Sequence, residues 1–176
     1  MEDEKSLIKR AKRQDEAAFR TLVERYIDAV ERFIYQFGIP RSDIADMTQE
    51  VWVKVYQNIH RFKKGKFTTW LYPIALNTAR DHHRKRKRER DKWNKYHHEL
   101  VHRTHGPQNT DPVHESLLEM KETYRVPLIL YYFHDHSYEE IGDILKLSQG
   151  TVKTRLHRGK EKLKHLIQEK EASDHG

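Results

Sequence analysis

"HSYEEIGDILKLSQGTVKTRLHRGKEKL", residues 136–163, decides how this chain is read. Ser137 and Glu140 have the spacing of a capping box, in which the hydroxyl accepts from the Glu140 amide while the carboxylate reaches back to the Ser137 amide. Ile141, Ile144 and Leu145 then recur at helical spacing. "KLS", 146–148, makes a short turn, and Ser148 is placed to cap a second helix whose Val152, Leu156 and Leu163 share one side. Gly142 stands where the first helix would cross the second, and a missing side chain allows close approach there. Two helices joined by so short a turn, the second strongly basic, form a helix-turn-helix.

Lys153, Thr154, His157 and Arg158 fall on the side opposite Val152 and Leu156. That spacing lays them along a major groove, where they meet base edges and phosphates. An ordinary surface helix would also be amphipathic, but capping, turn length, the small residue and the charge all agree on the DNA reading.

The rest of the composition is consistent with small helical modules. At 176 residues, with 36% hydrophobic and 35% charged side chains, each core is modest. There is no Cys, so disulfides and thiolate metal sites are excluded and a reducing cytoplasm is the expected setting. No signal peptide is visible. The longest apolar run, "VPLILYYF" at 126–133, is too short for a bilayer, which takes roughly 20 residues. A soluble protein without membrane insertion is expected.

The formal charge of +7 is concentrated in two segments. Residues 60–92 carry twelve Lys or Arg against three acids, and residues 148–165 carry six against one. Two basic stripes on a near-neutral body suggest two contacts with a polyanion, most simply nucleic acid.

The N-terminal half reads as helix throughout. Leu7, Ile8 and Ala11 make a first stripe, and Asp15 caps a second that continues through Phe19, Leu22, Val23, Tyr26, Ile27, Val30, Phe33 and Ile34 until Gly38 and Pro40 stop it. A third helix follows Ser42, with Ile44, Met47, Val51, Val55 and Ile59 inward. After the loop "KKGK", Thr68 caps a fourth, with Trp70, Leu71, Ile74, Ala75 and Ala79 inward, running out into "RDHHRKRKRER". Residues 91–111 are polar, His-rich and broken by Gly106-Pro107, and read as a linker. Asp111-Pro112 then opens a second helical set as cap and first residue. The expectation is an all-α chain: one domain over 1–90, a flexible linker over 91–111, a helix-turn-helix domain over 112–170 and a disordered tail over 171–176.

The segment quoted at the outset resembles the C-terminal promoter-binding domain of bacterial sigma factors. "DIADMTQEVWVKVYQNI" followed by "FTTWLYPIALNTARDHHRKRKR" is similar to their N-terminal domain. Both in order, with a short linker and nothing larger attached, resemble the extracytoplasmic-function (ECF) group of the sigma-70 family. The resemblance implies a non-enzymatic partner of core RNA polymerase that recognises the −10 and −35 promoter elements, with no cofactor and no small-molecule substrate. It also implies an inhibitory anti-sigma factor, often membrane-bound, which would hold this cytoplasmic protein at the membrane.

Residue by residue, the resemblance places polymerase binding on Asp46, Gln49 and Glu50. Their i, i+3, i+4 spacing makes one exposed patch opposite Val51 and Val55. It places the −10 element on Lys63, Lys64, Lys66, Trp70, Asn77, Arg80 and Arg84: the lysines track phosphates, an aromatic ring offers a displaced base a stacking surface, and Asn77, Arg80 and Arg84 face outward. Trp70 is equally suited to the core and to stacking. Pro73 departs from the basic residue expected there, removing a charge and, beyond the first helical turn, a backbone hydrogen bond. The −35 element falls on Ser148, Gln149, Thr151, Lys153, Thr154, His157 and Arg158.

Two other classes were weighed. "HELVH", 98–102, carries the His-Glu-x-x-His pattern of zinc hydrolases, with His98 and His102 as ligands, Glu99 as base and His105, His114 or Glu122 as third ligand. It lies in a polar stretch with no apolar stripe, in a chain with thirteen His, so no metal is expected. "DHH" at 81–83 matches a phosphoesterase signature by chance, since the partner motifs on strands are absent. A stand-alone helix-turn-helix regulator would leave the N-terminal half without a role.

Overall fold

The computed structural model describes residues 1–97 and 111–176, and every regular element among them is a helix. The first unit comprises α1 (Glu4–Ala11), α2 (Glu16–Phe37), α3 (Arg41–Asn58), a 3-10 turn (Ile59–Arg61) and α4 (Phe67–His97). The second comprises α5 (Pro112–Glu119), α6 (Glu122–Leu128) running into a π-helical turn (Ile129–Phe133), α7 (Tyr138–Leu145) and α8 (Gln149–Asp174).

Most helix starts are those the side chains dictate. Asp15 accepts from the Ala18 amide at 3.1 Å, Asp111 from Val113 at 3.0 Å ahead of Pro112, and Ser148 from Thr151 at 3.2 Å. Gly38, at φ +120°, ends α2, a conformation that favours glycine. Two expected caps are corrected. α3 begins at Arg41 behind Pro40, so Ser42 lies inside its first turn, and α4 begins at Phe67, one residue before Thr68. The capping box is half formed: Ser137 accepts from the Glu140 amide at 3.1 Å, but the Glu140 carboxylate turns to His136 and Lys66 instead of returning to the backbone.

Two elements are longer than periodicity suggests. α4 continues through 91–97, which reads as linker in the sequence, and α8 continues into 171–174, expected as tail. Apolar periodicity stops where tertiary contact stops, but Glu, Lys and Arg propagate a helix already nucleated by a packed segment. Pro73 is the seventh residue of α4, so the Thr69 carbonyl lacks its backbone donor.

In the first unit α2 packs on α1, α3 and α4, burying Leu22, Phe33, Ile34, Val51, Val55, Leu71 and Ala79. In the second, α5, α6 and α7 all pack on α8 around Leu117, Leu128, Ile141, Val152 and Leu156. Gly142 does make a close approach, but to the turn: a Cβ there would stand 2.6 Å from the Leu147 carbonyl oxygen. Lys146 takes the left-handed conformation, φ 58° and ψ 48°, that lets the chain double back.

The two units also pack on each other. α7 lies against α4, while α5 and the π-helical turn lie against α2, and the buried apolar side chains of both units form one continuous cluster. Gly38 belongs to this seam, since a Cβ there would meet Leu118 Cδ2 of α5 at 3.0 Å.

Candidate nucleic-acid interface

The start of α8 is the most regular of the candidate surfaces. Val152 and Leu156 are buried, Lys153, Thr154, His157 and Arg158 are exposed, and Ser148, Gln149 and Gly150 stand open at its tip. The cap uses part of this set. The Ser148 and Thr151 hydroxyls are 2.9 Å apart, and the Thr154 hydroxyl donates to the Gly150 carbonyl at 3.0 Å. Lys153, His157 and Arg158 keep their polar ends in solvent. A cleft beside them is lined by Thr123 and Tyr124 of α6 and by Arg155. Sequence reading missed these three because α6 meets α8 only in the fold.

The cationic loop before α4 carries Lys63, Lys64 and Lys66, all exposed, around Gly65 at φ +99°. Lys63 and Lys64 point to no acid in the sequence pattern, whereas Lys66 meets the Glu140 carboxylate at 2.5 Å across the seam. Burial acts to raise the Glu140 carboxyl, and hydrogen bonds from Lys66 and His136 outweigh it, holding the group below the usual carboxylate value. Trp70 is half-buried, tilted against Phe62 and Phe67 with ring centres 5.7 and 5.8 Å away, so it is partly core and partly surface.

Along α4, Asn77 is exposed while Thr78 and Ala79 are buried. Arg80 is half-buried and ion-paired with Glu122 of α6. Arg84 pairs with Asp81 one turn back at 2.5 Å. Arg86 and His82 both reach Asp43 of α3, at 2.8 and 3.1 Å. The structure thus brings Lys63, Lys64, Lys66, Trp70, Asn77, Arg80 and Arg84 onto one side of α4 and its loop, with two of the cations already engaged by carboxylates of the second unit.

Asp46, Gln49 and Glu50 are exposed together on α3, opposite buried Met47, Val51 and Val55. Glu50 holds Lys54 at 3.1 Å, and the same ammonium donates to Thr78 of α4 at 3.1 Å, which fixes the patch to the neighbouring helix. Exposed Val53 and Tyr56 continue the stripe, with the Tyr56 ring edge-on to Phe19 at 5.1 Å. Their exposure as apolar groups was the missing signal, visible only once Val51 and Val55 were placed in the core.

His98, Glu99, His102 and His105 lie outside the described residues. Of the remaining candidate ligands, His114 is buried flat against Tyr35, ring centres 4.2 Å apart, and Glu122 is the partner of Arg80. Among the described residues no group of three or more His, Asp or Glu is placed to hold a metal ion, and no helix is long and apolar enough to cross a membrane.

A basic helix-turn-helix joined to a separate four-helix unit with its own cationic loop and polar stripe defines a DNA-binding protein of transcription. Comparison with known proteins narrows the class. Residues 22–89 match the family described as Sigma-70 region 2, and residues 110–163 match Sigma-70, region 4. The ECF RNA polymerase sigma factor SigW of Bacillus subtilis is 31% identical, with 94% of this chain and 97% of that protein aligned. The RNA polymerase sigma-H factor of Pseudomonas aeruginosa is 28% identical over 95% of each chain. Among solved structures, CnrH in complex with the cytosolic domain of CnrY superposes with a TM-score of 0.73 at 26% identity, covering 92% of this chain and 95% of that one. RpoE of Bartonella quintana, in complex with the anti-sigma factor NepR, has the same fold with a TM-score of 0.71 at 23% identity, covering 85% of this chain and 96% of that one. The chain belongs to the ECF group of the sigma-70 family. It is a sigma factor, which directs RNA polymerase to promoters, and that family is not a class of enzymes.

Proposed function

We propose that promoter choice by this sigma factor rests on three surfaces. Lys153, Thr154, His157 and Arg158, with the α8 tip at Ser148, Gln149 and Thr151, read the −35 duplex. Lys63, Lys64 and Lys66 track phosphates of the −10 element, whose displaced strand meets Asn77, Arg80 and Arg84 and stacks on the exposed edge of Trp70. Asp46, Gln49 and Glu50 dock on core polymerase, with Val53 and Tyr56 adding an apolar flank. The observation that carries the reading is the division of α8 into a buried Val152–Leu156 side and an exposed cationic side at groove-reading spacing.

On this reading the N-terminal domain covers residues 1–90, the C-terminal domain 112–170, and the intervening stretch sets their reach. The protein works in the cytoplasm and performs no covalent chemistry. CnrH and RpoE are each held by an anti-sigma protein in the structures they resemble, and this chain is the target of a similar inhibitor. Run-off transcription with core polymerase on a promoter library tests the assignment. The wild-type chain should select promoters with two constrained elements, and Arg158→Ala should relax only the upstream one. Unaltered upstream selection in that variant would remove α8 from the reading.

A further inference from the structure

The two units meet through polar groups that the function above does not use as they stand. Lys66 and Arg80, two of the cations assigned to the −10 element, are engaged by Glu140 and Glu122 of the second unit. Both pairs are partly exposed, so neither holds the seam by itself. Between them lies His134, at the end of the π-helical turn. Its Nδ1 is 2.7 Å from the Tyr72 hydroxyl of α4, and its Nε2 is 2.7 Å from Gln36 Oε1 of α2. Phe33 of α2 closes over it edge-on, with ring centres 5.6 Å apart.

Only one protonation state satisfies both bonds. In the neutral Nε2–H tautomer, Nδ1 accepts from Tyr72 and Nε2–H donates to Gln36. Burial pushes the Tyr72 hydroxyl up to about 12, so it remains a donor. A second proton on His134 would set two donors face to face and place a cation in a buried site. The charged groups that act on it are Arg32 of α2 and His136 of its own segment, and both oppose a positive charge. His136 in turn meets Glu140 Oε2 at 3.0 Å, and its ring stands edge-on to Tyr72 with centres 4.6 Å apart. The buried imidazole is thus a three-element joint that is complete only when uncharged.

We propose that the packed arrangement is an autoinhibited state, that His134 is its latch, and that protonating the latch parts the two units and frees Lys66 and Arg80 for DNA. The DNA consequence rests on the −10 assignment above, whereas the opening does not. Burial, with Arg32 and His136, pushes the imidazole down to about 3 in the packed state, from 6.5 when exposed. The sign follows from linkage. A His depressed in the packed state favours packing fully above about pH 6.5, and below that each pH unit shifts the balance toward the open state by up to tenfold. Glu140, held below its ordinary 4.5, adds to the same direction in stronger acid.

The full chain has no Cys, so Arg20→Cys and Lys164→Cys, both at exposed positions, accept a dye pair for a distance measurement. Transfer between the dyes should fall in a step as pH is lowered from 8 to 5, with helicity by circular dichroism unchanged. His134→Gln should abolish that step whether the variant rests packed or open. No step in the wild type, the same step in His134→Gln, or a step accompanied by loss of helix overturns the latch. In a second arm, Glu122→Gln with Glu140→Gln should raise affinity for a single-stranded −10 oligonucleotide at pH 7.5 by about threefold or more. Unchanged affinity alongside an intact pH step overturns the inhibition. Failure of every form, opened wild type included, to bind the oligonucleotide overturns the −10 assignment and leaves the opening standing on the distance data.

Discussion

Arg158 and Lys153 share the exposed side of α8 but need not do the same work. A guanidinium meeting a base edge contributes about 1 to 3 kcal/mol and discriminates between sequences, whereas an ammonium on a phosphate contributes evenly to all of them. Arg158→Ala should therefore lower −35 affinity and relax specificity, and Lys153→Ala should mainly reduce the dependence of binding on salt. Titrations of the promoter duplex at several salt concentrations check both; wild-type behaviour in the pair would take the surface off DNA. Gly142 makes a purely steric demand. A Cβ 2.6 Å from the Leu147 carbonyl oxygen forces the turn to shift, so Gly142→Ala should destabilise by roughly 1 to 3 kcal/mol. At about 2 to 4 °C per kcal/mol for a chain of this size, thermal melting resolves the loss.

Helix α3 has two separate tasks on two sides. Met47, Val51 and Val55 bind it to the first unit, while Asp46, Gln49 and Glu50 stay in solvent beside Val53 and Tyr56. Removing polar groups from the solvent side leaves the packing intact, so Gln49→Ala with Glu50→Ala should reduce capture of core polymerase without changing the melting temperature by more than about 2 °C. Duplex binding by the full chain should be unaffected, because the altered helix lies in the other unit from α8. A pull-down at wild-type level would remove α3 from the polymerase surface. Helix α4 carries the opposite design: its first part is clamped between α2, α3 and α7, and its last two turns project as a charged extension.

The seam ties the two units into one body through few elements, which makes it adjustable. Tyr72→Phe removes the hydroxyl that donates to His134 Nδ1 and leaves that nitrogen without its partner. The packed state then loses part of its preference for the neutral ring, so the acid-induced opening should move to higher pH, toward 6.5, while helix content stays constant. The dye-pair measurement reads the shift directly, and a midpoint unmoved or moved to lower pH would show that the Tyr72 bond does not set the latch. Arg125 of α6, its guanidinium 5.3 Å from the Phe37 ring, and His114, flat on Tyr35, hold the seam by contacts that acid leaves in place, so opening should be a graded equilibrium and not a collapse.

Much of this was legible from residue order because the signals are local. The Ser148 cap, the Asp15 cap, the short turn and the stripe of Val152 and Leu156 depend on neighbours within a turn or two, and the paired sigma-factor motifs lie in continuous segments. The cationic side of α8 followed from the same arithmetic. What residue order did not disclose depends on groups far apart in the chain. The Glu140 carboxylate forsook the backbone for Lys66, α4 and α8 outran their apolar stripes, and His134 found Tyr72 and Gln36 at separations of 62 and 98 residues. A helix needs only its own hydrogen bonds and one apolar face, so sequence by itself determined the helices and the family. Which cations are free and which imidazole is buried was decided by the tertiary structure alone, because burial and pairing exist only when two helices meet.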